Sequence, residues 1–332
     1  MRDRGIDAAK FVLLILVALG HLIEEVHTPA FEYIYRAVYL FHMPAFVFLS
    51  GLVSGALIDE ARARRIVGAI LLPLIVHHLC LQWLDTVLSG TTFAVMPYRP
   101  NWALWYLMSL LLWRLMLPLL MAFRFPLMLA VGVALAAGFF NRIGYDWSVS
   151  RTAVFLPFFV AGHLWALRKG RTLPAYSHRV ALIGLAEVAL LGWLALRVDA
   201  RWLYGSLSYE SLGVPWAQGL GYRASLIAIG FVGTLCVLSL IPSWPLLARL
   251  GERSMAAFIV HIYVVKILVA GGGGALLGAI PAVIGVPVAI LTAATIIAAG
   301  ALIGAAFPRA FDLTWMLGSG GTFGGRIARS SE

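Results

Sequence analysis

Within the stretch DAAKFVLLILVALGH, Asp7 to His21, a run otherwise fit for a lipid bilayer carries a lysine near its start and a histidine eleven residues later. A charged side chain near the middle of a membrane helix costs roughly 2.5–3.5 kcal/mol on insertion scales, so each needs an escape to the interface or a use. Eleven residues make about three helical turns, which puts Lys10 and His21 on one face, about 16 Å apart along the axis. Asp7 and Glu24 fall near the same stripe, while the other faces are Leu, Val and Ile. Imidazole exchanges a proton near neutral pH and an ammonium holds an anion, so the stripe contains the parts of an acid–base site. The alternative is that Lys10 snorkels to the interface and His21 hydrogen-bonds a neighbouring helix.

Other residues extend the stripe. If the chain turns near residues 31–32, an antiparallel hairpin sets residue i opposite 63 − i, which brings His42 of YLFHMPAFVFLSG to the depth of His21 and Ser50 near that of Lys10. Pro44 weakens local backbone bonding there, which membrane helices tolerate beside a cavity or a neighbouring helix. His261, in SMAAFIVHIYVVK, adds a third histidine at related depth, and Arg114 lies inside an apolar segment where it needs a partner. Glu24 and Glu25 follow His21 by three and four residues, the spacing at which side chains meet; they either orient the imidazole or mark the interface. His77 and His78 point about 100° apart, so at most one faces a common cavity, and His163 reads as structural.

The elements that must position these groups are membrane helices. The 332 residues are 61% hydrophobic and only 12% charged, with mean hydropathy +0.91, whereas a soluble domain is about 45–50% apolar. Apolar runs near the roughly 20 residues a spanning helix needs recur at 8–27, 36–57, 66–88, 102–122, 126–141, 151–168, 179–198, 222–241, 254–270 and 278–306. The absence of period-two alternation argues against a membrane barrel, so the expected fold is an all-α polytopic bundle of about ten spans over residues 1–306, followed by a tail at 307–332. Net charge +10 follows topology rather than nucleic acid: fifteen basic residues, including Arg2, Arg4, Arg62, Arg64, Arg65, Arg326 and Arg329, fall on the side of the N-terminus and seven, including Arg36, Arg151 and Arg197, on the other. The positive-inside rule then puts both termini in the cytoplasm. Glu24 and Glu25, standing where a cleavage site would be, argue that the first helix is retained. Cys80 and Cys236 form no C-x-x-C pair, and no spacing of Asp, Glu and His amounts to a metal site.

Six stretches, in order over residues 2 to about 270, carry a resemblance: DAAKFVLLILVALGH, FHMPAFVFLSG, RARRIVGAILLP, WALWYLMSLLLWRLMLP, LPFFVAGHL and GERSMAAFIVHIY. The chain resembles the acyltransferase 3 family of integral-membrane acyltransferases, and within it the fucose 4-O-acetylase-like branch. The resemblance implies a multi-pass protein of the cell membrane that moves an acyl group from cytoplasmic acyl-CoA, most commonly acetyl-CoA, to a hydroxyl of a glycan or similar acceptor. It places the family's basic position on Lys10, where most relatives have arginine, and its motif histidine on His21. Lysine offers a point charge in place of a bidentate guanidinium. The expected catalytic set is His21, as base or nucleophile, with Lys10, Glu24 and His42. The donor's polyanionic end is expected at Lys10, Arg62, Arg64 and Arg65, with Ser50, Arg114 and His261 along its path. A solvated loop explains the arginine cluster equally well.

The rival reading is a transporter or flippase with intramembrane His, Lys and Arg lining a substrate or proton path. Against it, the polar pattern of the first two spans does not return in the second half, as an inverted repeat requires. The aromatic residues Trp102, Trp202, Tyr204, Tyr209 and Trp216, in or beside the loops 89–101 and 199–221, either stack on a sugar or form an interfacial belt.

Overall fold

The computed structural model describes residues 3–194 and 199–317, and among them the chain is helical with no strand. The helices are α1 Arg4–Ile23, α2 Pro29–Tyr39, α3 His42–Leu52, α4 Glu60–Ile66, α5 Leu72–Ser89, α6 Trp105–Met121, α7 Pro126–Ala136 and α8 Val149–Lys169. They continue with α9 His178–Leu194, α10 Trp216–Leu240, α11 Pro245–Gly251, α12 Ser254–Ala270, α13 Gly273–Ala279, α14 Ala282–Ala306 and α15 Pro308–Phe311. The fold is an all-α bundle. Arg2, Arg197, Arg326, Arg329 and most of the tail at 307–332 lie outside the described residues.

Six helical segments are long and apolar enough to cross a membrane: Arg4–Ile23, Glu60–Ser89, Trp102–Met121, Asp146–Lys169, Trp216–Leu240 and Ala282–Ala306. A seventh forms if α11 and α12, bent by 73° across Glu252 and Arg253, count as one. The other expected spans differ for local reasons. The region 126–141 is a short helix ending in a 3-10 turn at Ala137–Phe139, and α9 has 17 residues among those described. The expected span 36–57 is two helices, because Pro44 has no N–H to give to the carbonyl of Leu40 and its ring crowds that carbonyl, so the helix parts at Leu40 and Phe41. The turn itself comes at residues 24–28, between the end of α1 and the start of α2, ahead of the expected 31–32.

α1 is the central helix, buried along most of its length by α3, α11, α12 and α14. Asp3 caps it by accepting from the Ile6 N–H at 3.0 Å. Small residues set the closest approaches. A Cβ on Gly51 of α3 would strike the carbonyl of Phe159, and one on Gly162 of α8 would strike that of Phe48, so these glycines let two backbones touch. On the outside the pattern inverts, with Val283, Met128 and Leu119 at least 70% exposed, the face a bundle presents to hydrocarbon rather than to water.

Candidate active site

The groups on α1 point into cavities at its two ends. Near its start, Lys10 Nζ lies 3.0 Å from Asp7 Oδ1, one turn back, and the Asp7 carboxylate is buried. Lys10 lines a cavity of about 160 Å³ with Ser50 and Arg114. Ser50 Oγ is shared between the Phe46 carbonyl at 2.9 Å and the Tyr106 hydroxyl at 2.6 Å, and Arg114 Nε is buried without a hydrogen-bond partner. Arg62, Arg64 and Arg65 are not in this lining. Arg62 donates to the Leu57 carbonyl at 2.5 Å, Arg64 to that of Leu317 at 2.7 Å, and Arg65 is exposed.

At the other end, His21 and Glu24 line two cavities, of about 310 and 690 Å³, that share the Trp102 indole. His21 Nδ1 stands 3.4 Å from Glu24 Oε2. With its proton on Nδ1 facing the carboxylate, the neutral ring presents the Nε2 lone pair. His42 lines the smaller of the two, and its Nδ1 donates to the Val38 carbonyl at 2.8 Å. That carbonyl also accepts from the Phe41 N–H at 3.2 Å at the break before α3, so His42 adds a second donor to the end of α2 while its ring lines the cavity. His261 is fully buried, lines neither space, and has no partner on either ring nitrogen. Its ring is 5.9 Å from that of His21 and 5.4 Å from that of Phe258.

From the wall of the Lys10 cavity a run of ring contacts, an aromatic plug, leads through Phe258 and His261 to His21. The Tyr106 ring packs on Phe46 at 5.1 Å and on Phe258 at 5.6 Å, with His261 behind Phe258. The Ser50–Tyr106 hydrogen bond fastens it from the Lys10 side. The structure thus places Lys10, Ser50 and Arg114 together, His21, Glu24 and His42 together, His261 within the plug, and Arg62, Arg64 and Arg65 apart.

Several lining residues escaped the sequence reading. Arg151, read there only as a basic residue of the far side, stands in the first turn of α8 and lines the 310 Å³ cavity with Tyr39, Tyr145 and Tyr204. Tyr35 donates to the Tyr204 hydroxyl at 3.0 Å, and burial raises the Tyr204 phenol above its ordinary value, so it remains a neutral hydroxyl. Lys266 pairs with Asp85 at 2.5 Å in the wall of the larger cavity and lies 5.5 Å from the Trp102 ring centroid. Trp102 itself has φ of 35°, a backbone conformation that costs of order 1–3 kcal/mol and that clusters at functional sites. No spacing along the chain links residues 39, 102, 151 and 204; the available signal was an arginine opening an apolar span at Arg151. Among the described residues no three His, Cys, Asp or Glu side chains converge as a metal site would need.

A polar site with an oriented imidazole, buried in an apolar bundle, suits group transfer at a hydroxyl, and the comparisons bear on that chemistry. A family model described as an acyltransferase domain matches residues 3–304. The chain belongs to the acyltransferase 3 family. The match takes in α1 through most of α14, so every cavity described above lies within the family domain. Nodulation protein NolL of Sinorhizobium fredii (strain NBRC 101917 / NGR234) is 39% identical over 71 residues, which is 20% of this chain and 19% of that protein. No solved structure matches. The chain thus combines an acyltransferase 3 family domain with helices long and apolar enough to cross a membrane.

Proposed function

We propose that the chain is a membrane-embedded O-acyltransferase that takes an acyl group, most simply acetyl, from cytoplasmic acyl-CoA and passes it to a hydroxyl of a glycan or related acceptor, as in the fucose 4-O-acetylase-like branch. The observation that carries the reading is the His21–Glu24 pair, which leaves Nε2 as a base facing the cavities at the far end of α1. In this scheme the acceptor enters the 310 Å³ cavity, a volume within the range of small-molecule sites, and the donor enters the Lys10 cavity from the opposite side. Lys10 and Arg114 face the donor, and α4, which follows the Val53 wall of that cavity, offers Arg62, Arg64 and Arg65 to the nucleotide phosphates at its mouth. The plug at Tyr106 and Phe258 parts to let the thioester reach His21.

The steps balance without a further reagent. His21 Nε2 takes the proton of the acceptor hydroxyl as its oxygen attacks the thioester carbonyl. The tetrahedral adduct then expels the thiolate of CoA, which recovers the proton from the imidazolium. Glu24 stabilises that imidazolium and His42 holds the acceptor hydroxyl. A base is favoured over an acyl-histidine because His21 lines open cavities, where an acyl-imidazole would meet water.

Replacing His21 with alanine is expected to lower transfer from labelled acetyl-CoA by roughly 10²–10⁴-fold, the range for a positioned acid–base group. Membrane insertion should persist, since removing imidazole lowers the cost of burial. Quantifying membrane-inserted protein beside activity separates the two effects. A near-wild-type rate in His21→Ala would remove the site assignment, and label retained on His21 after acetyl-CoA alone would replace the base with a nucleophile.

A further inference from the structure

The lining of the 310 Å³ cavity that His21 shares includes the guanidinium of Arg151. Arg151 Cζ lies 5.1 Å from the Trp105 ring centroid and 4.9 Å from that of Tyr145, so two aromatic rings hold it in place. Its Nε donates to the Tyr204 carbonyl at 3.3 Å. No carboxylate oxygen lies within 4.0 Å of it among the described residues, and its terminal nitrogens are not among the buried unpartnered atoms, so they face the cavity that Arg151 lines. The other charged groups of this lining are Arg99, paired with Asp146 at 3.1 Å, and Glu24, engaged by His21. With Arg99 paired to Asp146, the guanidinium of Arg151 and the carboxylate of Glu24 are the two charges of this lining without an ion pair of opposite fixed charge within 4.0 Å among the described residues, and each lies within electrostatic reach of the other. Arg151 also stands in the first turn of a 21-residue helix, where the backbone dipole adds positive potential.

We propose that Arg151 is an anion-recognition site for the acceptor, which is therefore a saccharide bearing an acidic group. A planar guanidinium fixed by stacking presents two parallel N–H donors to a carboxylate or phosphate, and the stacking has already met the ordering cost. Tyr39, Tyr145, Tyr204, Trp102 and Trp105 are among the other residues of the lining. The acid would dock at Arg151 while a hydroxyl elsewhere on the sugar turns to His21 in the same cavity. This rests on the reading of the cavity as the acceptor site, and it narrows that acceptor to one class.

The test uses the full chain in lipid nanodiscs and measures binding, so that it stands apart from turnover. Saturation-transfer NMR titrations compare methyl glucuronoside, methyl glucoside and methyl glucoside 6-phosphate on the wild type, Arg151→Gln and Arg151→Lys. The expected result is a Kd for an acidic probe at least roughly tenfold below that of the neutral glucoside in the wild type. In Arg151→Gln the gap should close to within about twofold, and Arg151→Lys should keep part of it. The two acidic probes distinguish a carboxylate from a phosphate site. Equal Kd values in the wild type, absence of binding by all three probes, a gap that survives Arg151→Gln, or an equal loss for charged and neutral sugars in that variant would each overturn the proposal. Hydrolysis of acetyl-CoA with no sugar present, measured on the same samples, reports on the acyltransfer reading independently.

Discussion

At the scale of single residues, the Lys10–Asp7 pair separates a structural charge from a working one. Asp7 is almost wholly buried while Lys10 retains some exposure on the cavity side, so the lysine both neutralises a buried carboxylate and faces incoming ligand. Removing one partner of a buried pair costs up to about 3–5 kcal/mol, less here because Lys10 is partly solvated and Asp7 keeps a further interaction. Lys10→Met alone is expected to lower the midpoint of thermal unfolding in detergent. Combined with Asp7→Asn it should recover part of that stability, because the buried carboxylate that Lys10 faced is then neutral. If Lys10 also binds the donor, the stable double variant keeps a KM for acetyl-CoA raised by at least roughly tenfold, with a smaller effect on acceptor KM. Recovery of donor KM along with stability would make Lys10 purely structural. The stripe of Lys10 and His21 was legible because helical periodicity alone sets two positions eleven apart on one face. Arg151 was not, because its neighbours Tyr39, Trp105 and Tyr204 reach it from three other segments of the chain.

At the scale of elements, the broken second span explains why the hairpin estimate located the right partners from a turn placed too late. The chain turns at 24–28, several residues before 31–32, yet the interruption at Leu40 and Phe41 precedes α3, so His42 still reaches the cavity of His21 and Ser50 that of Lys10. Pro44 marked the interruption in the sequence. What periodicity could not supply was the partner of α3, since contact between apolar helices is decided by shape rather than by pattern. That partner is α8, and Gly51 and Gly162 set the approach reciprocally. Because a Cβ at either position meets backbone rather than a movable side chain, even Gly162→Ala is expected to cost about 1–3 kcal/mol, the scale of an overpacked contact. Gly162→Leu should cost more. Thermal unfolding of the purified variants checks this, and an unchanged midpoint for both would show that α3 and α8 do not pack so closely. The same contact ties the helix carrying His42 and Ser50 to the helix carrying Arg151, so activity should fall with stability in this pair.

At the scale of the whole molecule, donor and acceptor can use opposite ends of the bundle only if those ends face different compartments. Of the basic residues expected on the N-terminal side, Arg124, Arg168 and Lys169 line one groove, whereas Arg99 and Arg151 of the opposite set line the His21 cavity. On the second side Asp199 is held below the ordinary carboxylate range by the hydrogen bond from Arg201, and the charge of Arg36 contributes to the same effect. In the proposed scheme the positive-inside rule assigns the first group, with the Lys10 cavity, to the cytoplasm, the side from which an acyl-CoA donor would come. Alkaline phosphatase, active only outside the cytoplasm, should therefore be silent when fused after Glu332 and active when inserted near Gly213, in the segment between the 3-10 turn Ala200–Tyr204 and α10. A fluorescent protein that folds only inside should give the opposite pattern at the same two sites. The paired design matters because a silent fusion alone could reflect poor expression. Activity of phosphatase at the C-terminus together with silence at Gly213 would invert the molecule and put the Lys10 cavity outside. The donor would then have to enter beside His21, and the aromatic plug at Tyr106 and Phe258 would no longer lie on its path.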